Sequence, residues 1–114
     1  MRRRETPAYA VPPIDGFGEG GFRVAGARRE GHVLIIDGTT KAWPVDGDPR
    51  ALTASDFSAF LARADTPDMV VLGLGRTLVH PPAEVRQAFR EAGVGLEALD
   101  TATACRTYNL LAGE

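Results

Sequence analysis

Residues 68–100 read DMVVLGLGRTLVHPPAEVRQAFREAGVGLEALD, and this stretch decides the fold. It opens on a nearly all-apolar run, 68–74, of the kind expected of a strand covered on both faces. In the segment that follows, 81–93, Val85, Ala88, Phe89 and Ala92 recur at helical spacing, with Arg86, Gln87, Arg90 and Glu91 on the opposite face. Pro82 and Glu84 suit the first turn of that helix, and Gly93 suits its C-terminal end. A second apolar run, 94–100, reads as another strand. Strand, helix, strand at this spacing makes a βαβ unit with parallel strands and a right-handed crossover.

Working outward, TATACRTYNLLAGE (101–114) reads as the last helix, with Asp100 and Thr101 as N-cap types. On the other side, LTASDFSAFLARADTPD (52–68) places Phe57, Phe60, Leu61 and Ala64 at helical spacing. Thr53 with Asp56 three residues on resembles a capping box, and Thr66-Pro67 is read as the stop of this helix. HVLIIDGTTKAWPV (32–45) reads as a hairpin turning at Asp37-Gly38, and GFRVAG (21–26) as a short strand with Phe22 and Val24 on one face. Residues 1–20 hold Pro7, Pro12, Pro13, Gly16, Gly18 and Gly20 and read as an extended arm, mobile unless it docks on the body. The expected architecture is therefore α/β: one compact three-layer domain over 21–114 with a mixed central sheet. Its N-terminal part is antiparallel and its C-terminal half is built of βαβ units.

Composition narrows the function. With 114 residues there is room for one domain, 44% of them hydrophobic and 25% charged, as in ordinary globular chains. A formal charge of −2 argues against a general nucleic-acid binder, which needs a basic surplus. The lone Cys105 excludes an internal disulfide and a multi-thiolate metal site, and His32 and His80 are too scattered for a zinc site. No run approaches the ~18–20 apolar residues of a membrane span, and the arginine-rich start lacks the apolar core of a secretory signal. A cytoplasmic, reducing compartment is the expectation, with no cofactor implied.

Chemistry is expected where the two parallel strands end. Gly73 and Gly75 with Arg76 leave the first strand, Asp100 and Thr101 leave the second, and ligands of open α/β sheets bind outside that edge. Helix N-termini pointing there and the Arg76 guanidinium suit a carboxylate or phosphate. Yet Leu78 stands where a dinucleotide fingerprint needs its third glycine, and no GxxxxGK[ST] loop occurs. The simpler reading makes the glycines a permissive strand exit, Asp100 and Thr101 a cap, His80 a solvent-facing loop residue and Cys105 an inert core thiol. No acid, base and nucleophile stand paired.

The segments GGFRVAG, VLIIDGTTKAWPV, LTASDF and VVLGLGRTLVHPPAEVRQAFREAGVGLEALDTATACRTYNLLAGE together resemble one small α/β family of unknown function over about residues 14–114. That family includes the mitochondrial NADH dehydrogenase (complex I) assembly factor 3 and bacterial homologues. The G-x-G-R at Gly73, Gly75 and Arg76 and the DTATACRTYN segment carry the resemblance most specifically. It implies a three-layer α/β fold with a mixed sheet, no established reaction, and work through protein partners. Relatives continue past the LLAGE equivalent with a basic, then apolar, segment ending in a short strand. The sequence given stops at Glu114, either cut short or from a member without that element. Only where the element is missing is a sheet edge or part of the cleft cover expected to be absent. The leading expectation is a non-catalytic interaction or assembly-factor domain. Its candidate contact residues are Gly73, Gly75, Arg76, Asp100, Thr101, Arg106, Tyr108 and Asn109. A small-anion or nucleotide-binding domain using the same edge is the alternative. The edge of hairpin 32–45 is also available for dimer formation.

Overall fold

The computed structural model describes residues 12–113. Its C-terminal half follows the sequence pattern closely. Strand β6 (Met69–Gly73) pairs in parallel with β7 (Gly95–Leu99), with Met69 opposite Gly95 and Gly73 opposite Leu99. Between them runs helix α2 (Ala83–Ala92), which starts behind Pro82 and ends at Gly93 in the left-handed region at φ 72°. Helix α3 (Thr101–Ala112) follows β7 directly.

The N-terminal half is antiparallel, as expected, and holds two strands that hydropathy does not announce. β1 (Ile14–Gly18), β2 (Gly21–Val24) and β3 (Ala27–Glu30) form one meander. β4 (Val33–Ile36) and β5 (Thr39–Ala42) form the hairpin, turning at Asp37 and Gly38 with φ of 52° and 76°. The expected N-terminal arm falls largely on residues 1–11, which lie outside the described residues; its 14–18 portion is strand β1. The strands fall into three hydrogen-bonded sheets, two antiparallel and one parallel.

The helix expected over 52–66 is shorter than its spacing suggests. A 3-10 turn (Ala54–Phe57) leads into a single helical turn, α1 (Ser58–Leu61). Asp56 accepts the Thr53 backbone N–H at 2.8 Å, one arm of the capping box. Ala64 is exposed, and Arg63 just past the helix reaches Asp37 in the hairpin turn at 2.7 Å. A tertiary contact with the hairpin thus accompanies the early stop.

The core lies between α2, α1 and the near face of β6. Phe57, Phe89 and Val85 are its largest fully buried side chains, joined by Val70, Leu72 and Leu74. Phe57 sits edge-on to Trp43 and to Phe89, with ring centroids 5.4 and 5.2 Å apart. The indole Nε1 of Trp43 donates to the Asp56 carbonyl at 2.9 Å, so this tryptophan ties the hairpin to the helical layer as a packing residue.

Candidate functional site

The two strand exits are fastened to each other. Past the end of the ladder, the Leu74 N–H donates to the Leu99 carbonyl at 2.8 Å. The Gly75 N–H donates to Thr101 Oγ1 at 2.9 Å, and the Thr101 N–H returns to the Gly75 carbonyl at 2.8 Å. The glycines serve different ends. Gly75 adopts φ +104°, a conformation that strains any L side chain. At Gly73 a Cβ would sit 3.2 Å from Ala104 Cβ and 3.3 Å from Thr101 Cα, so its missing side chain lets α3 pack close against β6.

Asp100 caps α3. Its carboxylate accepts the Thr103 N–H at 3.1 Å. Hydrogen bonding from Thr103 holds its pKa below the usual carboxylate range, and the Arg106 guanidinium adds to this. A pKa depressed by folding contributes stability at neutral pH that is lost as the pH falls through the folded value. Of the N–H groups at the start of α3, that of Thr101 is spent on Gly75 and that of Thr103 on Asp100. An anion arriving here would displace a carboxylate already in place. This argues against the anion-site alternative.

Tyr108 and Asn109 turn inward to the N-terminal segment. Asn109 grips Ile14 from both sides: its Oδ1 accepts the Ile14 N–H and its Nδ2 donates to the Ile14 carbonyl, each at 2.8 Å. One helical position earlier, the Tyr108 hydroxyl donates to the Pro12 carbonyl at 2.8 Å. Burial pushes the phenol up to about 12, which keeps that donor protonated. These two side chains fasten the chain entry onto α3. The remaining candidates, Arg76 and Arg106, are exposed. Arg106 reaches the Thr103 hydroxyl at 3.3 Å, whereas Arg76 has no side-chain hydrogen bond or ion pair among the described residues.

One larger feature escapes the sequence reading. An apolar cleft of about 460 Å³ opens between β4, β6 and α3. Gly73, Thr101 and Tyr108 reach its wall, as does Cys105. Among the described residues β4 pairs only with β5 and β6 only with β7, so the edges facing this cleft are unpaired. The signal was present in Val33–Ile36, four consecutive apolar residues where a surface hairpin alternates. At the rim, Asp37 and Arg63 are spent on each other.

Cys105 is 8% exposed, and burial pushes its thiol up while Arg106 pulls the other way. The group stays a thiol at neutral pH and packs as a small hydrophobe. Iodoacetamide at pH 7.5 is therefore expected to leave native Cys105 unmodified over an hour and to alkylate it fully in denaturant. Rapid labelling of the folded chain, read by mass spectrometry, contradicts that burial.

Residues 14–114 match the family described as "Protein of unknown function (DUF498/DUF598)". The chain belongs to this DUF498 family. An uncharacterized DUF498 relative from Rhodobacter capsulatus is 33% identical over 114 residues, covering all of this chain and 86% of its own length. The NADH dehydrogenase (ubiquinone) 1 alpha subcomplex assembly factor 3 of Mus musculus is 33% identical over 101 residues, 89% of this chain. That match takes in 54% of the mouse protein, so the chain spans about half of its length. The fold superposes with a TM-score of 0.80 on the crystal structure of an outer membrane protein from Bartonella henselae, at 28% identity over 92% of this chain and 87% of that one. The DUF498 segment begins at residue 14, the first residue of β1 and the one that Asn109 holds. No helix among the described residues is long and apolar enough to cross a membrane.

Proposed function

We propose that this DUF498 member is an assembly-factor-type interaction domain with no reaction of its own, and that it meets its protein partner with the loop 75–80. The observation that carries the reading is the exposure of both Arg76 and Leu78 in this one loop. Arg76 is exposed and has no partner among the described residues, and Leu78, two residues on, is 57% exposed. The loop springs from a base braced by the Gly75–Thr101 hydrogen bonds, so both side chains stand on a fixed root. Arginine is enriched at interface anchors, and a large apolar group beside it supplies area to bury. The kinship with assembly factor 3 supports the same reading.

Of the other proposed contact residues, Arg106 is exposed on α3. Gly75 and Thr101 brace the loop's base, Gly73 admits α3 against β6, and Asp100 caps α3. Tyr108 and Asn109 hold Pro12 and Ile14 and do not reach the loop. The competing small-anion reading is weaker, because the α3 N-terminus is already matched by Asp100. A cytoplasmic location goes with the proposal. Fractionation that recovers the chain only with the outer membrane overturns that part.

Affinity capture of the tagged chain from its own cells, with reversible cross-linking, tests the function. Arg76→Ala is expected to reduce recovery of a reproducible partner at least tenfold while leaving the fold unchanged by circular dichroism. Equal recovery by both chains removes Arg76 from the interface. The absence of any reproducible partner removes the function.

A further inference from the structure

Beyond loop 75–80 the chain runs through His80 into a second groove, of about 420 Å³, between α2 and β7. Its lining is chemically one-sided. His80, Arg86 and Arg90 stand over a floor that includes Phe89, Leu96 and Ala98, and no carboxylate lines it. Arg86 Nε donates to the Pro81 carbonyl at 3.3 Å, and Arg90 Nη1 donates to Gln87 Oε1. These bonds fix both guanidinium groups without neutralising them, and neither forms an ion pair among the described residues. The nearby acids are engaged elsewhere or turned away. Glu91 accepts from Gln87, and Glu84 accepts the Ala54 N–H. Leu96 and Ala98 face the core on the α2 side, so Glu97 between them points to the opposite face of the sheet.

Beside this groove lies an unpaired strand edge, since β7 pairs with β6 alone among the described residues. An edge strand with free N–H and C=O groups is a template for an added strand. Here it sits beside an apolar floor and fixed positive charge, in a chain whose net charge is −2. We propose that the α2–β7 groove receives an extended, acidic segment of the partner, added as a strand along β7 with its carboxylates at Arg86 and Arg90. This deepens the interaction reading above and rests on it. Charge complementarity across such a surface speeds encounter and selects the partner, and its strength falls with salt.

The test is selection of octapeptides from a random phage-displayed library on the whole chain, in parallel with the exposed-site variant Arg86→Glu/Arg90→Glu and its milder counterpart Arg86→Gln/Arg90→Gln. Peptides enriched on the wild-type chain are expected to carry two or more acids. Their binding should fall at least tenfold on either variant and again between low and 0.5 M salt. Backbone amide shifts on binding should concentrate in residues 80–90 and 94–99. Enrichment without acidic bias overturns the proposal, as does equal binding to the variants, shifts confined to the β4–β6 cleft, or no enrichment at all. If capture still depends on Arg76 while the library fails, the groove is excluded and the interaction reading stands.

Discussion

Replacing Phe57 with alanine is expected to lower the unfolding free energy by ~3–5 kcal/mol, the range for truncating a buried phenylalanine. Phe57 is 1% exposed and meets the rings of both Trp43 and Phe89 edge-on. It therefore joins three separate pieces of chain: the hairpin exit, the turn before α1, and α2. Removing it opens a cavity at the point where these pieces meet, and it leaves Trp43 without its ring contact. A domain of this size has about 5–15 kcal/mol in total, so the variant retains little margin. Urea unfolding followed by circular dichroism and by the fluorescence of Trp43, the only tryptophan, measures the loss. Phe17→Ala is the comparison, because Phe17 is 49% exposed and its truncation should stay within about 0.5 kcal/mol. Similar losses for both would mean that the three pieces do not meet as described.

The second large effect belongs to Asn109. Asn109→Leu removes a donor and an acceptor together and leaves the Ile14 N–H and carbonyl facing a hydrocarbon. Stranding a buried or half-buried polar group costs ~1–3 kcal/mol, so about 2–3 kcal/mol is expected for this pair, which is part-buried. The loss should be local before it is global. Amide exchange at Ile14 and along β1 should quicken more than tenfold while α2 keeps its protection. Asn109→Asp is expected to be intermediate, since a carboxylate still accepts from Ile14 but donates nothing to its carbonyl. Tyr108→Phe, which gives up one hydrogen bond to Pro12, should cost about 1 kcal/mol. Unchanged exchange in β1 for Asn109→Leu would show that the side chain does not hold the chain entry.

How much of this was legible in the sequence depended on how local the signal was. The β6–α2–β7–α3 run was readable because each element declares its own period and its own stop, from the apolar run before Gly73 to the left-handed Gly93 and the Asp100 cap. The β4–β5 turn was readable because Asp-Gly favours positive φ at both central positions. β3 was not, since its four residues, ARRE, are all exposed and offer no alternation; only the turn at Ala25 and Gly26, both at positive φ, marks it. β1 was hidden by its glycines, which weaken strand propensity, and by its dependence on pairing with β2, its one partner among the described residues. In the 52–66 segment the apolar spacing is real, but the chain leaves the helix at Ala62 and Arg63 engages the hairpin turn instead.

The candidate site divides in the same way. Asp100 as a cap and Gly75 as a permissive exit follow from residue type, and both stand. Gly73 serves a close helix approach that no turn rule foretells. Tyr108 and Asn109 were placed at a contact surface because they share a segment with Asp100. Their partners, Pro12 and Ile14, lie some 95 residues away in sequence, and only the folded chain brings them together. Arg76 remains the residue at the strand edge with exposure and no partner among the described residues.

The central claim, that loop 75–80 touches a protein partner, is tested most directly by a photoreactive amino acid installed at Leu78. A second copy carries it at Glu19, which is exposed in the β1–β2 turn, as a control. Irradiation of living cells is expected to join the chain covalently to one discrete partner from position 78, with at least tenfold less product from position 19. The product should vanish when Arg76→Ala is added. No cross-link from position 78, or the same products from both positions, would contradict the account.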